Sequence, residues 1–182
     1  MVSQFIGTDG FRRLSEIDFP FPEGTHAIGR LDSHSEGLLL LSTNKKITKL
    51  LFQGKVPHKR TYIVQVLHSM SAETLLHLQQ GVSIRIKEGK DWLSSPCEAS
   101  IIAKPENLYA RENELLDFIP HTWLSISLYE GKFHQIRKMV FALKHRCRRL
   151  IRVSIEDVHL QDLAPGKVRE LSEHDFFSLL KL

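Results

Sequence analysis

Along this 182-residue chain the apolar positions come in short blocks, and their spacing predicts more strands than helices. Residues 37–42 (GLLLLS) form an apolar run of strand length, bounded by the Thr43-Asn44 turn. Asn44 stands where a cap belongs, ahead of Ile47, Leu50 and Leu51 at helical spacing. Residues 59–66 (KRTYIVQV) set Tyr62, Val64 and Val66 against Thr61, Ile63 and Gln65, a strand with apolar character on both faces. Ser71 precedes Thr74, Leu75 and Leu78, a second helix that stops at Gly81. Residues 82–86 alternate cleanly, and residues 97–103 and 123–128 read as further strands. HQIRKMVFALK (134–144) places Ile136, Met139, Val140 and Leu143 on one helical face. A strand over 150–158 follows. LSEHDFFSLL (171–180) closes the chain as a helix, with Ser172 and Asp175 at capping-box spacing. Residues 107–122 carry no period. Many strands, few helices and no regular βαβ spacing predict an α+β fold on a mainly antiparallel sheet.

Composition then narrows the class. Hydrophobic residues at 42% and charged residues at 25% are ordinary for a globular domain with its own core. No apolar run approaches the roughly 18 residues of a membrane span, and the first residues lack the charged-then-apolar order of a signal peptide. Cys97 and Cys147 stand alone, which predicts neither a disulfide framework nor a zinc site and points to a reducing compartment, most simply the cytoplasm.

The net charge is only +4, but it is unevenly spread. Between Glu130 and Arg152 there are eight basic residues (Lys132, Arg137, Lys138, Lys144, Arg146, Arg148, Arg149, Arg152) against the single acid Glu130. Such a run is either the footprint of a phosphate-backbone binder or a solvated helix face.

Three stretches can carry chemistry: GRLD (29–32), KRTY (59–62) and EGKFHQIRKM (130–139), each beside an expected strand end. Asp32 can serve as nucleophile or base. Tyr62 offers a face for a nucleobase, or is a half-buried core aromatic. Arg137 follows core-facing Ile136 and can reach inward, where a guanidinium fork fits a carboxylate. His134 has no second ligand at metal spacing. GxSxG, P-loop and GxGxxG patterns are absent.

Taken in order, GRLDSHSEGLLLLSTN (29–44), KRTYIVQV (59–66), IPHTWLSISLYEGKFHQIRKMV (119–140), RRLIRVSI (148–155) and LQDLAPGKVREL (160–171) resemble the RNA pseudouridine synthases of the RsuA type. The similarity is greatest to the branch acting on large-subunit ribosomal RNA. The resemblance implies one catalytic domain over residues 1–182, with a mixed, mostly antiparallel sheet, flanking helices and a central catalytic cleft. It implies isomerisation of a uridine in ribosomal RNA, with no cofactor and no metal, by a monomer that needs no membrane. Asp32 matches the family's essential aspartate, Tyr62 the tyrosine that stacks on the target base, Arg137 the arginine that pairs with the aspartate, and Leu150 an apolar residue on the pocket. Arg30, Lys59, Arg60, Lys132, His134, Gln135, Lys138 and Arg152 are the expected RNA contacts, with Lys132, His134 and Lys138 at the entrance.

Three departures accompany the resemblance. Relatives begin with a strand carrying Asn-Lys-Pro, and this chain starts inside that strand, at Met1-Val2-Ser3-Gln4-Phe5. Arg60 stands where relatives have Lys, and Ile155-Glu156 where they have Ile-Gly. With so few residues ahead of GRLD, the expectation is a catalytic domain without the S4-type RNA-binding domain found ahead of it in many relatives. The competing readings are an inert RNA-binding relative and a carboxylate-dependent hydrolase. The hydrolase needs a second acid near Asp32, and Glu36 is the nearby candidate.

Overall fold

The strand with apolar residues on both faces becomes the middle of the molecule. In the computed structural model, which describes residues 3–7, 10–54, 56–86, 89–111 and 114–182, β4 (Arg60–Leu67) runs antiparallel to both β8 (His121–Leu128) and β9 (Cys147–Ile155). β7 (Glu98–Ile102) pairs outside β8, and β10 (Val158–His159) folds back on β9. The order is therefore β10-β9-β4-β8-β7. The short β2 (Glu36–Gly37) joins β9 in parallel, so the sheet is mixed but mostly antiparallel. Two hairpin-like pairs lie apart: β1 (His26–Ile28) with β3 (Leu40–Ser42), and β5 (Ser83–Arg85) with β6 (Asp91–Leu93).

Among the described residues, two of the four α-helices start on the serines that the sequence offers as caps. α1 (Lys46–Gln53) instead begins after Lys45, one residue past the expected cap, although Asn44 Oδ1 accepts from the Lys46 amide at 3.1 Å. Ser71 Oγ accepts from Thr74 N and opens α2 (Ala72–Gln80), which ends at Gly81 with φ +103°. α3 (Gln135–Ala142) follows the basic loop. Ser172 Oγ accepts from Asp175 N and opens α4 (Glu173–Leu180).

Two apolar clusters hold these parts. One packs Val64, Val66, Leu124, Ile126 and Leu150 of the sheet against Leu78 of α2 and Ile136, Met139 and Val140 of α3. The other gathers Ile28, Leu38, Leu40, Ile47, Leu51, Ile155, Val158 and Leu180. Each fully buried aliphatic side chain contributes about 1.5–3 kcal/mol.

The expected strand over 37–42 is split. Gly37 lies against Arg152 of β9, whereas Leu40–Ser42 pair with β1. Between them Leu38 N donates to the Arg152 carbonyl at 2.8 Å and its side chain enters the second cluster. One run of leucines thus serves two sheets, which a straight strand cannot do. Gly37 has φ +96°, and a Cβ there would sit 2.3 Å from the Arg152 carbonyl oxygen. Gly37→Ala is expected to cost about 2 kcal/mol or more through backbone strain and loss of this approach. Urea denaturation of the purified variant measures it, and a change within 0.5 kcal/mol, about the spread of neutral surface substitutions, would refute it.

Of the expected N-terminal strand, Met1 and Val2 lie outside the described residues. Residues 3–7 form no strand, and Ser3 instead exchanges hydrogen bonds with the Leu31 backbone. Glu156 explains its own departure. It takes up the left-handed backbone (φ +47°) that suits glycine. Its carboxylate accepts from Lys59 N at 2.6 Å and pairs with Lys181 at 3.0 Å, tying the start of β4 to the end of α4.

Candidate active site

The loop that carries Asp32 is fixed at its ends by apolar burial and in its middle by one guanidinium. Ile28 and Leu38 bracket it, both inside the second cluster. Arg152, only 4% exposed, donates from Nε to the Leu38 carbonyl (2.8 Å) and from Nη1 to the Arg30 carbonyl (3.5 Å). It therefore bridges the two ends of the loop. A bulge in β9 leaves Val153 without a partner on β4, between Ser154, opposite Thr61, and Arg152, opposite Tyr62. Such a bulge re-aims side chains. Here it puts Arg152 beside Tyr62, which packs on the cluster that contains Leu150. Burial holds the Arg152 guanidinium below its usual pKa. The Tyr62 oxygen and the Asp32 carboxylate oppose that shift, and neighbouring Arg60 adds to it. Arg152 still carries its charge, as arginine does in proteins, and its Nη2 is buried with no hydrogen-bond partner.

Asp32 opens a tight turn in which Ser35 N donates to its carbonyl at 2.8 Å. Its side chain is 32% exposed, and Oδ1 lies 3.6 Å from His134 Nε2. Arg137, expected on the carboxylate, goes elsewhere. Its Nη2 donates to the His34 carbonyl at 2.6 Å and its Nη1 reaches Cys147 Sγ at 3.5 Å. The turn offers Arg137 a backbone oxygen in place of the carboxylate. Arg137 thus braces the loop at His34, and Arg152 is the buried cation that bridges its two ends.

Glu36 is not a second free acid. Arg149, 2% exposed, donates to both its oxygens, from Nε at 3.2 Å and Nη2 at 3.0 Å, and Arg111 adds a bond at 2.6 Å. Arg149 also pairs with Glu114, which Lys104 holds from its other side. This network ties the aperiodic stretch before β8 to the Asp32 loop. A hydrolase needing two free carboxylates therefore finds only one here. Burial works against the charged form of Glu114, but Lys104 and Arg149 outweigh it and hold its carboxyl below the ordinary 4.5. A depressed pKa stabilises the fold above the unfolded value and is lost as pH falls through the folded one. Stability is thus expected to drop as pH falls below about 4.5, and Glu114→Gln to shallow that slope. Urea midpoints across pH 3–6, a window set by ordinary carboxyl titration, measure it; superimposable profiles would refute it.

The expected RNA contacts divide. Lys132 and Arg30 are exposed, and Lys138 and His134 are half-buried at the mouth of the loop. Lys132 Nζ rests 5.2 Å from the Trp92 ring and Arg60 lies 5.2 Å over Phe52. Lys59 is engaged by Glu98 at 2.6 Å. Gln135 is a correction: it is 5% exposed, accepts from Lys132 N and donates to Glu130 Oε1, so it closes the turn into α3. Arg152 is likewise too deep for the RNA backbone. Of the basic run, Arg149 and Arg152 point inward, while Lys144 and Arg146 remain at the surface. The run is neither a plain solvated face nor wholly a phosphate surface. The sequence reading missed the roles of Glu36 and Arg149, whose only signal was an acid four residues past Asp32 and an arginine flanking the apolar Leu150-Ile151.

Comparison with known proteins agrees with this architecture. Residues 7–142 match the family model described as RNA pseudouridylate synthase. The chain is 37% identical over 174 residues to "Ribosomal large subunit pseudouridine synthase E" of Vibrio vulnificus (strain CMCP6), covering 94% of this chain and 70% of that one. It is 29% identical over 164 residues to "Ribosomal small subunit pseudouridine synthase A" of Vibrio parahaemolyticus, covering 90% and 63%. A solved structure titled "Crystal structure of pseudouridylate synthase" superposes with a TM-score of 0.75 at 23% identity, covering 98% of this chain and 68% of that one, and so shares the fold. With its mixed sheet and matching family model, the chain belongs to the RNA pseudouridine synthases, among the relatives of the RsuA type.

Proposed function

We propose that this synthase isomerises a uridine of large-subunit ribosomal RNA and that Asp32 is the group that drives the reaction. Greater identity to a relative named for the large subunit supports the choice of substrate. The observation that carries the site is the partly exposed Asp32 carboxylate on a loop bridged by buried Arg152, with Tyr62 beside that guanidinium. In the reaction the C1′–N1 bond breaks, the base turns and a C1′–C5 bond forms; the C5 hydrogen leaves and N1 takes up a proton. Asp32 acts as a carboxylate. The uridine leaves its stack at a cost of a few kcal/mol, which stacking on Tyr62, worth about 1–3 kcal/mol, offsets. Lys132 and Lys138 take phosphates at the mouth. The protein works as a monomer, since one chain supplies every group named, and its free Cys97 and Cys147 support a reducing compartment such as the cytoplasm.

The test is incubation with ribosomal RNA tritiated at uridine C5, followed by mapping of the modified position. Tritium release at one large-subunit uridine is the expected result. RNA binding without release would favour an inert relative instead.

A further inference from the structure

Phe133 has no place in the roles assigned so far. Its ring is 63% exposed and belongs to neither apolar cluster, although burying a phenylalanine is strongly favourable. Yet it is held in place. It lies nearly parallel to the His134 imidazole, with ring centroids 3.9 Å apart and an interplanar angle of 16°. His134 in turn is fixed by a left-handed backbone (φ +54°) and by its 3.6 Å contact with Asp32. Lys138, on the first turn of α3, brings Nζ to 5.5 Å from the Phe133 centroid, and Lys132 precedes it in the chain. The result is a flat aromatic plate, backed by a second ring that lies 3.6 Å from the acid, with the Lys138 ammonium over it.

We propose that Phe133 is the stacking platform for a nucleobase next to the uridine processed at Asp32, with Lys138 turning from the ring to the intervening phosphate. This rests on the reading of Asp32 as the group that handles a flipped uridine. Extruding a base leaves its neighbours with an unstacked face. An exposed aromatic plane recovers that stacking whatever the base, because every base has a π-face. The arrangement also fits the charge: a ring with the Lys138 ammonium over it suits a base and its phosphate better than an apolar protein surface.

A thermodynamic cycle tests it. The substrates are a synthetic hairpin around the uridine mapped in ribosomal RNA and two versions with an abasic ribose immediately 5′ or 3′ of it. Phe133→Leu is expected to lower kcat/KM about 5- to 150-fold, the range for losing one aromatic–base stack, mainly through KM. Phe133→Trp is expected to recover most of that loss. One of the two abasic hairpins should cost the wild type a similar factor and cost Phe133→Leu almost nothing more. If Phe133→Leu matches the wild type, or if both abasic penalties multiply with the substitution, the platform is overturned and the ring serves some other contact. Should the wild type turn over no ribosomal RNA, the reading of Asp32 fails separately. The same cycle is then read in Kd on a uridine-centred oligoribonucleotide, where coupling supports the platform and additivity sinks it.

Discussion

Replacing Asp32 by Asn is expected to abolish tritium release from uridine C5 while the protein stays folded and binds RNA. The substitution keeps the shape of the side chain and leaves untouched the Ser35 bond to the Asp32 carbonyl that closes the turn. It removes the negative charge that faces His134 at 3.6 Å. Loss of a positioned acid–base group alone costs about 10²–10⁴ in rate, and a group that also forms bonds to substrate costs more. Stability changes little, because the carboxylate is partly solvated and its contact with His134 is 3.6 Å. Circular dichroism, urea unfolding and filter binding separate the chemical effect from a structural one. Release within tenfold of wild type (about 1.4 kcal/mol) would remove Asp32 from its role.

Arg149→Met is expected to give the largest loss of stability, about 3 kcal/mol, at the low end of the range for breaking a buried pair. Met fills much of the volume but leaves Glu36 and Glu114 without their shared cation. Arg111 and Lys104 remain on those carboxylates and limit the cost. Against a typical total of 5–15 kcal/mol this is a large fraction. Glu36 lies in β2, at the exit of the Asp32 loop, so the surviving folded protein should also lose kcat more than affinity. The double replacement Arg149→Met with Glu36→Leu should recover part of the stability, since an apolar pair strands fewer charges. Urea unfolding of the single and double variants decides the matter. A single variant as stable as wild type would show that the network carries little of the fold.

The helices were legible because their caps and apolar faces are local. Ser71 and Ser172 each cap the amide three residues on, and their hydroxyls do so in the structure, whereas Asn44 bonds the Lys46 amide but α1 has its N-cap one residue later, at Lys45. β4 and β8 were legible from their β-branched and alternating content, and β9 only in part. The strand expected over 150–158 starts at Cys147 and turns back after Ile155, where Glu156 takes a left-handed backbone, into β10. The split of residues 37–42 was hidden because a leucine run has no period to show which sheet each residue joins. β6, three residues long, was missed for want of any pattern. At the site, GRLD marked Asp32 and KRTY marked Tyr62, but the buried guanidinium that bridges the Asp32 loop was not legible. Arg137 and Arg152 look alike in a basic run. A bulge at Val153 and the depth of β9 separate them, and neither is written in one-dimensional spacing.

By itself, the order of residues determined the α+β class, the capped helices, the family and the position of Asp32, because each depends on short patterns of period, capping or motif. Tertiary structure alone decided which charges meet. Glu36 and Arg149 are over a hundred residues apart and Arg152 reaches back to Leu38 and Arg30 across a similar span. Whether an arginine faces water or a buried acid is settled by the register of β9 against β4 and β2, and register follows from how both apolar clusters close at once.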